Sequence, residues 1–318
     1  MPTLQLEVQL IKDKANPTAD VRYEKKTAAC RPERVLSVIL PAYNEEGSLG
    51  ILLDRIESVL NAHEIKKEVI VVDDGSTDMT PDIAREKGAI VVQHKVNKGY
   101  GAALKTGILQ SRYADILIID ADGTYPPEAI PALLERFDGN DMVVGARGGH
   151  EASLAGLRRL AKWSLRILAS YCTGVRIIDL NSGMRLLKKD VVRMYSHLLP
   201  SGFSFTSTIT IALLCHNRQV EYVPIDYHPR GNSKFLPFRE TFRVFWQIIK
   251  TMVRLKPLKV FLPVSMLSLV LGIYLTAYQA LSGRPVSIFP LLCILTGVLS
   301  GFSGLMAKWI LTRSCSLH

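Results

Sequence analysis

The stretch DILIIDADG (residues 115–123) decides how this chain reads. Ile116 to Ile119 form an apolar run of the length of a strand buried on both faces. The run stops at two carboxylates one residue apart, Asp120 and Asp122, and then at Gly123. The same grammar occurs twice upstream. VLSVIL (35–40) stops at Pro41-Ala42-Tyr43-Asn44-Glu45, and EVIVV (68–72) stops at Asp73-Asp74-Gly75-Ser76. Between and after these runs, residues 45–60, 80–87 and 99–111 have apolar side chains at helical spacing. Residues 89–93 read as a further strand, 127–137 as a helix with proline in its first turn, and 142–144 as a short fifth strand. Strands alternating with helices predict an α/β fold, a mostly parallel sheet covered by helices on both faces. Ligands of such sheets bind beyond the carboxyl ends of the strands. Tyr43, Glu45, Asp74, Asp120 and Asp122 are therefore expected on one rim.

Beyond Arg147 the alternation weakens. Residues 154–171 read as a basic amphipathic helix, and 179–187 and 220–227 as short strands. The chain ends in two uncharged apolar segments, 260–281 and 287–307. About 20 residues cross the hydrocarbon core of a bilayer, so both are long enough. A membrane hairpin also reconciles two bulk properties of the 318-residue chain: a net charge of +10 and 48% hydrophobic residues. Lys and Arg crowd the flank before the first segment, through Lys259. Only Arg284 lies in the connecting turn, whereas Lys308 and Arg313 follow the second segment. That asymmetry predicts a multi-pass protein of the cytoplasmic membrane, with the α/β domain and the tail on the cytoplasmic side. It also assigns the basic excess to a membrane surface and not to nucleic acid. The expected organisation is a polar extension (1–34), an α/β domain (35–234), an amphipathic helix (235–259), two spans (260–281 and 287–307) and a tail (308–318). The amphipathic helix suits either the bilayer interface or the side of the sheet. Gly297 and Gly301 form a GxxxG that suits either close packing of the two spans or a homo-oligomer. Five scattered cysteines without a CxxC pair exclude a zinc ribbon or a disulfide scaffold. No apolar segment near Met1 predicts a signal peptide.

The rim residues suggest chemistry. Carboxylates at the end of a buried strand are costly unless paired or bound to a cation. Asp120 and Asp122 suit Mg2+ or Mn2+, hard ions that take oxygen ligands and keep sites for phosphate oxygens. An acidic solvated turn is the plainer alternative. Tyr43 and Glu45 offer a ring face and an acceptor to a nucleobase, while Asn44 and the glutamates equally suit a helix cap. Gly99-Tyr100-Gly101 opens a helix after a strand, with Asp120 at the end of the next strand. That imitates a dinucleotide fingerprint and raises a membrane-tethered oxidoreductase as an alternative, although Leu104 occupies the third glycine position. A non-catalytic membrane partner with a vestigial nucleotide site is the other. Arg147, Arg158, Arg159, Lys162, Arg185, Arg230 and Lys234 suit anion binding, with Gly231 and Ser233 making a compact loop beside the last two.

LSVILPAYNEE, VIVVDDGSTD, DILIIDADGTYPPE, VVGAR, DLNSGMR and PRGNSK, in this order and ahead of an apolar hairpin, resemble family 2 glycosyltransferases of the GT-A fold. More narrowly, they are similar to polyprenyl-phosphate glycosyltransferases of the dolichol-phosphate mannose synthase type. The resemblance runs from Val35 to the C-terminus. It implies inverting transfer of a sugar from a UDP- or GDP-linked donor to a polyprenyl phosphate, with a divalent metal. It further implies that Pro41, Tyr43, Glu45, Val72, Asp74, Asp120 and Ala121 hold the nucleotide. Asp120 and Asp122 would meet metal and diphosphate, and Arg147, Arg159, Ser182, Arg230 and Lys234 the acceptor phosphate. Asp120, Asp122, Arg147 and Arg230 would carry catalysis. Thr124 stands where mannose synthases often carry a metal-binding glutamine, and is a third candidate ligand.

Overall fold

The computed structural model describes residues 34–147, 166–228, 238–283, 285 and 287–315. Seven strands form one sheet in the order β3-β2-β1-β4-β6-β5-β7. The first half alternates as the sequence predicts: β1 (Val35–Ala42), α1 (Glu46–Ala62), β2 (Lys66–Asp73), α2 (Thr80–Glu86), β3 (Ile90–Gln93), α3 (Tyr100–Gln110) and β4 (Asp115–Ile118). A 3-10 turn (Pro127–Ala129) leads into α4 (Ile130–Glu135), and β5 (Met142–Arg147) follows. After it come α5 (166–173), β6 (Arg185–Lys188), α6 (Lys189–Met194), α7 (Phe205–Cys215) and β7 (Val220–Ile225). Three long helices close the chain: α8 (Phe238–Leu255), α9 (Pro257–Leu281) and α10 (Ile288–Cys315). Arg34, assigned to the extension by sequence, bonds the Leu134 carbonyl and the Asp138 carboxylate instead.

The strands are apolar throughout because both sheet faces are covered. Leu36, Val38 and Leu40 of β1 pack with Leu49, Leu52 and Ile56 of α1 on one face. Ile39 points the other way and packs with Leu104 and Ile108 of α3 and with Phe205 and Ile209 of α7. β1 is parallel to β2 on one side and to β4 on the other, so the direction of winding reverses between β1 and β4. The carboxyl ends of those two strands carry Tyr43 and the Asp120–Asp122 turn.

β6 runs antiparallel between β4 and β5, pairing Arg185 with Ile118 and with Val144. A strand entering in the opposite direction has its preceding loop, not its following one, at the ligand rim. Residues 179–184, expected as strand, form that loop. Their side chains bond backbone in place of a ladder: Asp179 accepts from the Asn181 N–H at 3.1 Å, and the Ser182 hydroxyl donates to the Gly145 carbonyl at 2.6 Å. Helices α6 and α7 carry no clear sequence signal. In α7 every side chain is buried, so no polar face marks its period.

Helix α8 docks Ile248 and Met252 against Ala169 and Cys172 of α5 and Ile211 and Leu214 of α7. Trp246 remains half exposed with Lys250 over its ring at 5.9 Å. The helix therefore has both a packed face and a basic aromatic one. Helices α9 and α10 are long and apolar enough to cross a membrane, and most of their apolar surface is exposed. They pair through small residues. An added Cβ at Gly297 would lie 2.6 Å from Leu269, and one at Gly272 would lie 2.8 Å from the Pro290 carbonyl oxygen. The Ser265 hydroxyl donates to the Gly297 carbonyl at 2.7 Å. The GxxxG thus packs within the hairpin. Gly297→Leu should separate the pair, costing about 1–3 kcal/mol by overpacking. A lower unfolding midpoint of the full chain in detergent checks this, with Gly47→Ala, whose added Cβ meets nothing within 4 Å, as the silent control.

Candidate active site

Two strand-end loops lock together to form one wall of a cleft. Asn44 takes a left-handed conformation, φ 54°. Its N–H donates to the Ser76 hydroxyl at 2.9 Å, and its side-chain oxygen accepts from the Thr77 N–H at 2.9 Å. The Glu45 N–H donates to the Thr80 hydroxyl at 2.8 Å, and the Glu46 carboxylate accepts from the Met79 N–H at 3.0 Å. The expected role of Asn44 and the glutamates as caps of their own helix is thus corrected: α1 has no side-chain cap, and Asn44 and Glu46 brace the neighbouring loop. The buried Asp74 carboxylate accepts from the backbone N–H groups of Lys98 (2.9 Å) and Gly99 (2.8 Å) and from His94 Nδ1 (2.6 Å). His94 Nε2 lies 2.9 Å from the Thr106 hydroxyl. Asp74 therefore lines the cleft and also fixes the loop leading into α3.

That loop settles what the paired glycines do. An added Cβ at Gly101 would lie 2.4 Å from the Pro200 carbonyl oxygen, and one at Gly99 2.7 Å from that of Ser201. The Ser201 carbonyl accepts the Ala102 N–H at 3.0 Å, occupying the start of α3. The glycines admit protein backbone where a dinucleotide fingerprint would admit pyrophosphate, and the fingerprint reading falls.

The acidic pair stands across the cleft, which encloses about 450 Å3 between Pro41, Tyr43, Tyr100, Phe203, Asp120 and Asp122. Tyr100 donates its hydroxyl to Asp120 at 2.7 Å and stacks on Phe203 with centroids 5.7 Å apart. Gly183 presses on the opposite side of Asp120: an added Cβ would lie 1.9 Å from its carboxylate oxygen. Burial pushes the Asp120 carboxyl up to about 6, and the Asp122 charge adds to this, while the Tyr100 hydrogen bond, Arg147 and Arg185 oppose it. Thr124 gives Asp122 both its N–H (3.0 Å) and its hydroxyl (2.6 Å). The Thr124 hydroxyl is thereby turned onto Asp122, orienting that carboxylate. Among the described residues no group of three or more His, Cys, Asp or Glu side chains gathers around one point. Two carboxylates, one held up by burial and by its neighbour's charge, still fit a hard divalent cation that draws its other ligands from water and phosphate.

The cationic side differs from expectation at several residues. Arg147 makes a two-pronged pair with Asp179, both contacts at 2.8 Å, and its guanidinium lies 5.5 Å from the centre of the Tyr227 ring. Although burial opposes it, this pairing holds the Asp179 carboxyl below its usual range and raises Arg147. Arg185 is fully buried and donates to the Ser182 carbonyl (2.7 Å), the Leu180 carbonyl (2.9 Å) and the Thr210 hydroxyl (2.6 Å). It shapes the loop that carries Gly183. Ser182, expected at the acceptor phosphate, is fully buried with its hydroxyl on Gly145, so it props the loop instead. The Val72 side chain, expected at the nucleotide, is buried between the sheet and α3. Arg158, Arg159, Lys162, Arg230 and Lys234 lie outside the described residues. Tyr100 and Phe203 are the wall residues that motif reading passed over. Tyr100 sits between the two glycines already singled out, but Phe203 carries no local pattern and is brought in only by the fold.

The comparisons agree with this geometry. The model of Glycosyl transferase family 2 matches residues 37–195. The chain is 33% identical over 206 residues to a dolichyl-phosphate hexose transferase of Haloferax volcanii, covering 64% of this chain and 87% of that protein. It is 31% identical over 216 residues to an undecaprenyl-phosphate mannosyltransferase of Micrococcus luteus, covering 63% and 87%. Among solved structures, glucosyl-3-phosphoglycerate synthase of Mycobacterium tuberculosis in complex with Mn2+, UDP and phosphoglyceric acid superposes with a TM-score of 0.55. At 21% identity, over 69% of this chain and 78% of that one, this is a likeness of fold. With the acidic turn at the point where the sheet reverses its winding and a family match spanning β1 to the end of α6, the chain belongs to glycosyl transferase family 2.

Proposed function

We propose that the protein transfers a sugar from a nucleotide-linked donor to the phosphate of a polyprenyl lipid at the cytoplasmic face of a membrane. The observation that carries this reading is the Asp120–Asp122 pair, ordered by Tyr100 and Thr124 in the lining of a cleft of about 450 Å3. Tyr43, about half exposed on the rim, offers its ring to the base. Asp74 holds the opposite wall. Asp120 and Asp122 would hold Mg2+ or Mn2+, which when bound neutralises charge on the departing diphosphate.

The acceptor supplies the nucleophile. A phosphate monoester with a second pKa near ~6 is ionised at neutral pH, so no general base is needed. One of its oxygens bonds to the anomeric carbon as the carbon–oxygen bond to the diphosphate breaks. The electron pair leaves with the diphosphate, and the configuration inverts. The residues position the two anions and offset their repulsion. Arg147, braced by Asp179, supports the rim, and Arg230 and Lys234 are the candidate clamp for the lipid phosphate. The stretch carrying them follows on His228, whose N–H donates to the Thr124 carbonyl at 3.0 Å beside the acidic turn. The two apolar helices bring this site to an acceptor that does not leave the bilayer, and the charge asymmetry around them supports the cytoplasmic side.

Purified full chain in detergent, with UDP- and GDP-sugars, Mn2+ and undecaprenyl phosphate, should form a lipid-linked sugar. Absence of product with every donor, from protein that unfolds cooperatively, would overturn the reading. Asp122→Asn should lower transfer at least about 100-fold, and undiminished turnover would remove Asp122 from the mechanism. Asp120→Asn should raise the unfolding midpoint in EDTA at neutral pH while removing the stabilisation that Mn2+ plus nucleotide gives, because it deletes a charge that burial and Asp122 disfavour. Arg230→Ala should raise the KM for lipid phosphate and leave nucleotide affinity unchanged. Equal loss of both would take Arg230 out of the clamp.

A further inference from the structure

A second cavity, of about 370 Å3, lies at the root of the hairpin, where α8 breaks at Lys256 and Pro257 starts α9. Lys256 and Lys259 line one side and Lys308 of α10 the other, with Leu255, Leu258 and Leu311 between them. The lining contains no acid. Among the described residues none of these three lysines forms a salt bridge. Lys259 donates to the Tyr171 carbonyl at 3.3 Å, which ties the cavity wall to α5. Lys308 is exposed. Three cations around one small space repel one another unless an anion joins them, and the positive end of the α9 dipole at Pro257 adds to the same field.

The apolar part of the lining gives the site a direction. Leu258 and Leu311 lead onto the outer surface of the hairpin, where Leu262 and Ile310 are about half exposed. A ligand with an anionic head and an apolar tail satisfies both halves. None of the cavity residues lines the catalytic cleft. We propose that this cavity binds the phosphate of an anionic bilayer phospholipid, with its acyl chains along α9 and α10, as a resident lipid that is not consumed. The site fixes the hairpin root against the globular domain by filling the space between α8, α9 and α10.

The test uses the full chain in maltoside micelles and reads the unfolding midpoint without any donor sugar, so it stands apart from the transfer assay. Dioleoylphosphatidylglycerol should raise the midpoint saturably by about 3 °C. Dioleoylphosphatidylcholine and inorganic phosphate should each give less than a third of that shift. The double variant K256Q/K308Q should need at least tenfold more phosphatidylglycerol, whereas the charge-matched K250Q/R254Q on the exposed side of α8 should respond as wild type. Lys308→Gln alone, at an exposed position, gives the same readout should the double variant not fold. Equal loss in both double variants would mean general attraction to an anionic surface and would overturn the site. An equal response to inorganic phosphate would make it a free-anion site. Displacement of phosphatidylglycerol by equimolar undecaprenyl phosphate, with a raised acceptor KM and unchanged kcat in K256Q/K308Q, would make it an acceptor site and refute the resident lipid.

Discussion

Crowding the Asp120 carboxylate beside that of Asp122 at the end of a buried strand is unfavourable, and much of the cleft is arranged to keep it there. Tyr100 satisfies one oxygen, Gly183 closes the other side without a side chain, and Arg147 and Arg185 lend positive potential from behind. Each support has its own support. Tyr100 is set by α3, whose start is fixed by Asp74 through the Lys98 and Gly99 amides and by the Ser201 carbonyl. Gly183 is set by Arg185, which bonds the carbonyls on either side of the preceding turn. A carboxylate arranged in this way is readied for a cation and not already neutralised by a lysine or arginine of its own.

The first half of the fold was legible because its strands are continuous apolar runs ended by polar clusters, and a sheet buried on both faces requires that pattern. The rim residues were legible for the same reason, since the polar clusters mark where strands stop. Direction was not. Nothing local in Arg185–Lys188 says that it runs against its neighbours, yet that reversal moves the loop before it, in place of the loop after it, onto the rim. Ser182, which the resemblance puts at the acceptor phosphate, lies on that loop but turns its hydroxyl inward onto the Gly145 carbonyl. Helix α7 was hidden for an opposite reason: a helix buried all round loses the period by which helices are found.

The sequence marks the position of a polar residue more readily than its partner. Asn44, Asp74, Thr124 and Arg147 all stand where the motif positions put them, but each has its hydrogen bonds directed at protein. Asn44 reaches the next loop, Asp74 two backbone amides, Thr124 the carboxylate two residues before it, and Arg147 a carboxylate 32 residues away. Sequence proximity could not reveal these pairings, because three of the four join segments that only the sheet brings together.

Helices α8 and α9 are separated by one residue, Lys256, and α8 is bolted to α5 and α7 by Ile248 and Met252 while Lys259 holds α5 from the far side of the break. A joint that short, clamped on both sides, has no slack with which to swing. The distance between the acidic turn and the apolar hairpin is then a built-in dimension of the fold, with the reach of the site fixed as on a gauge.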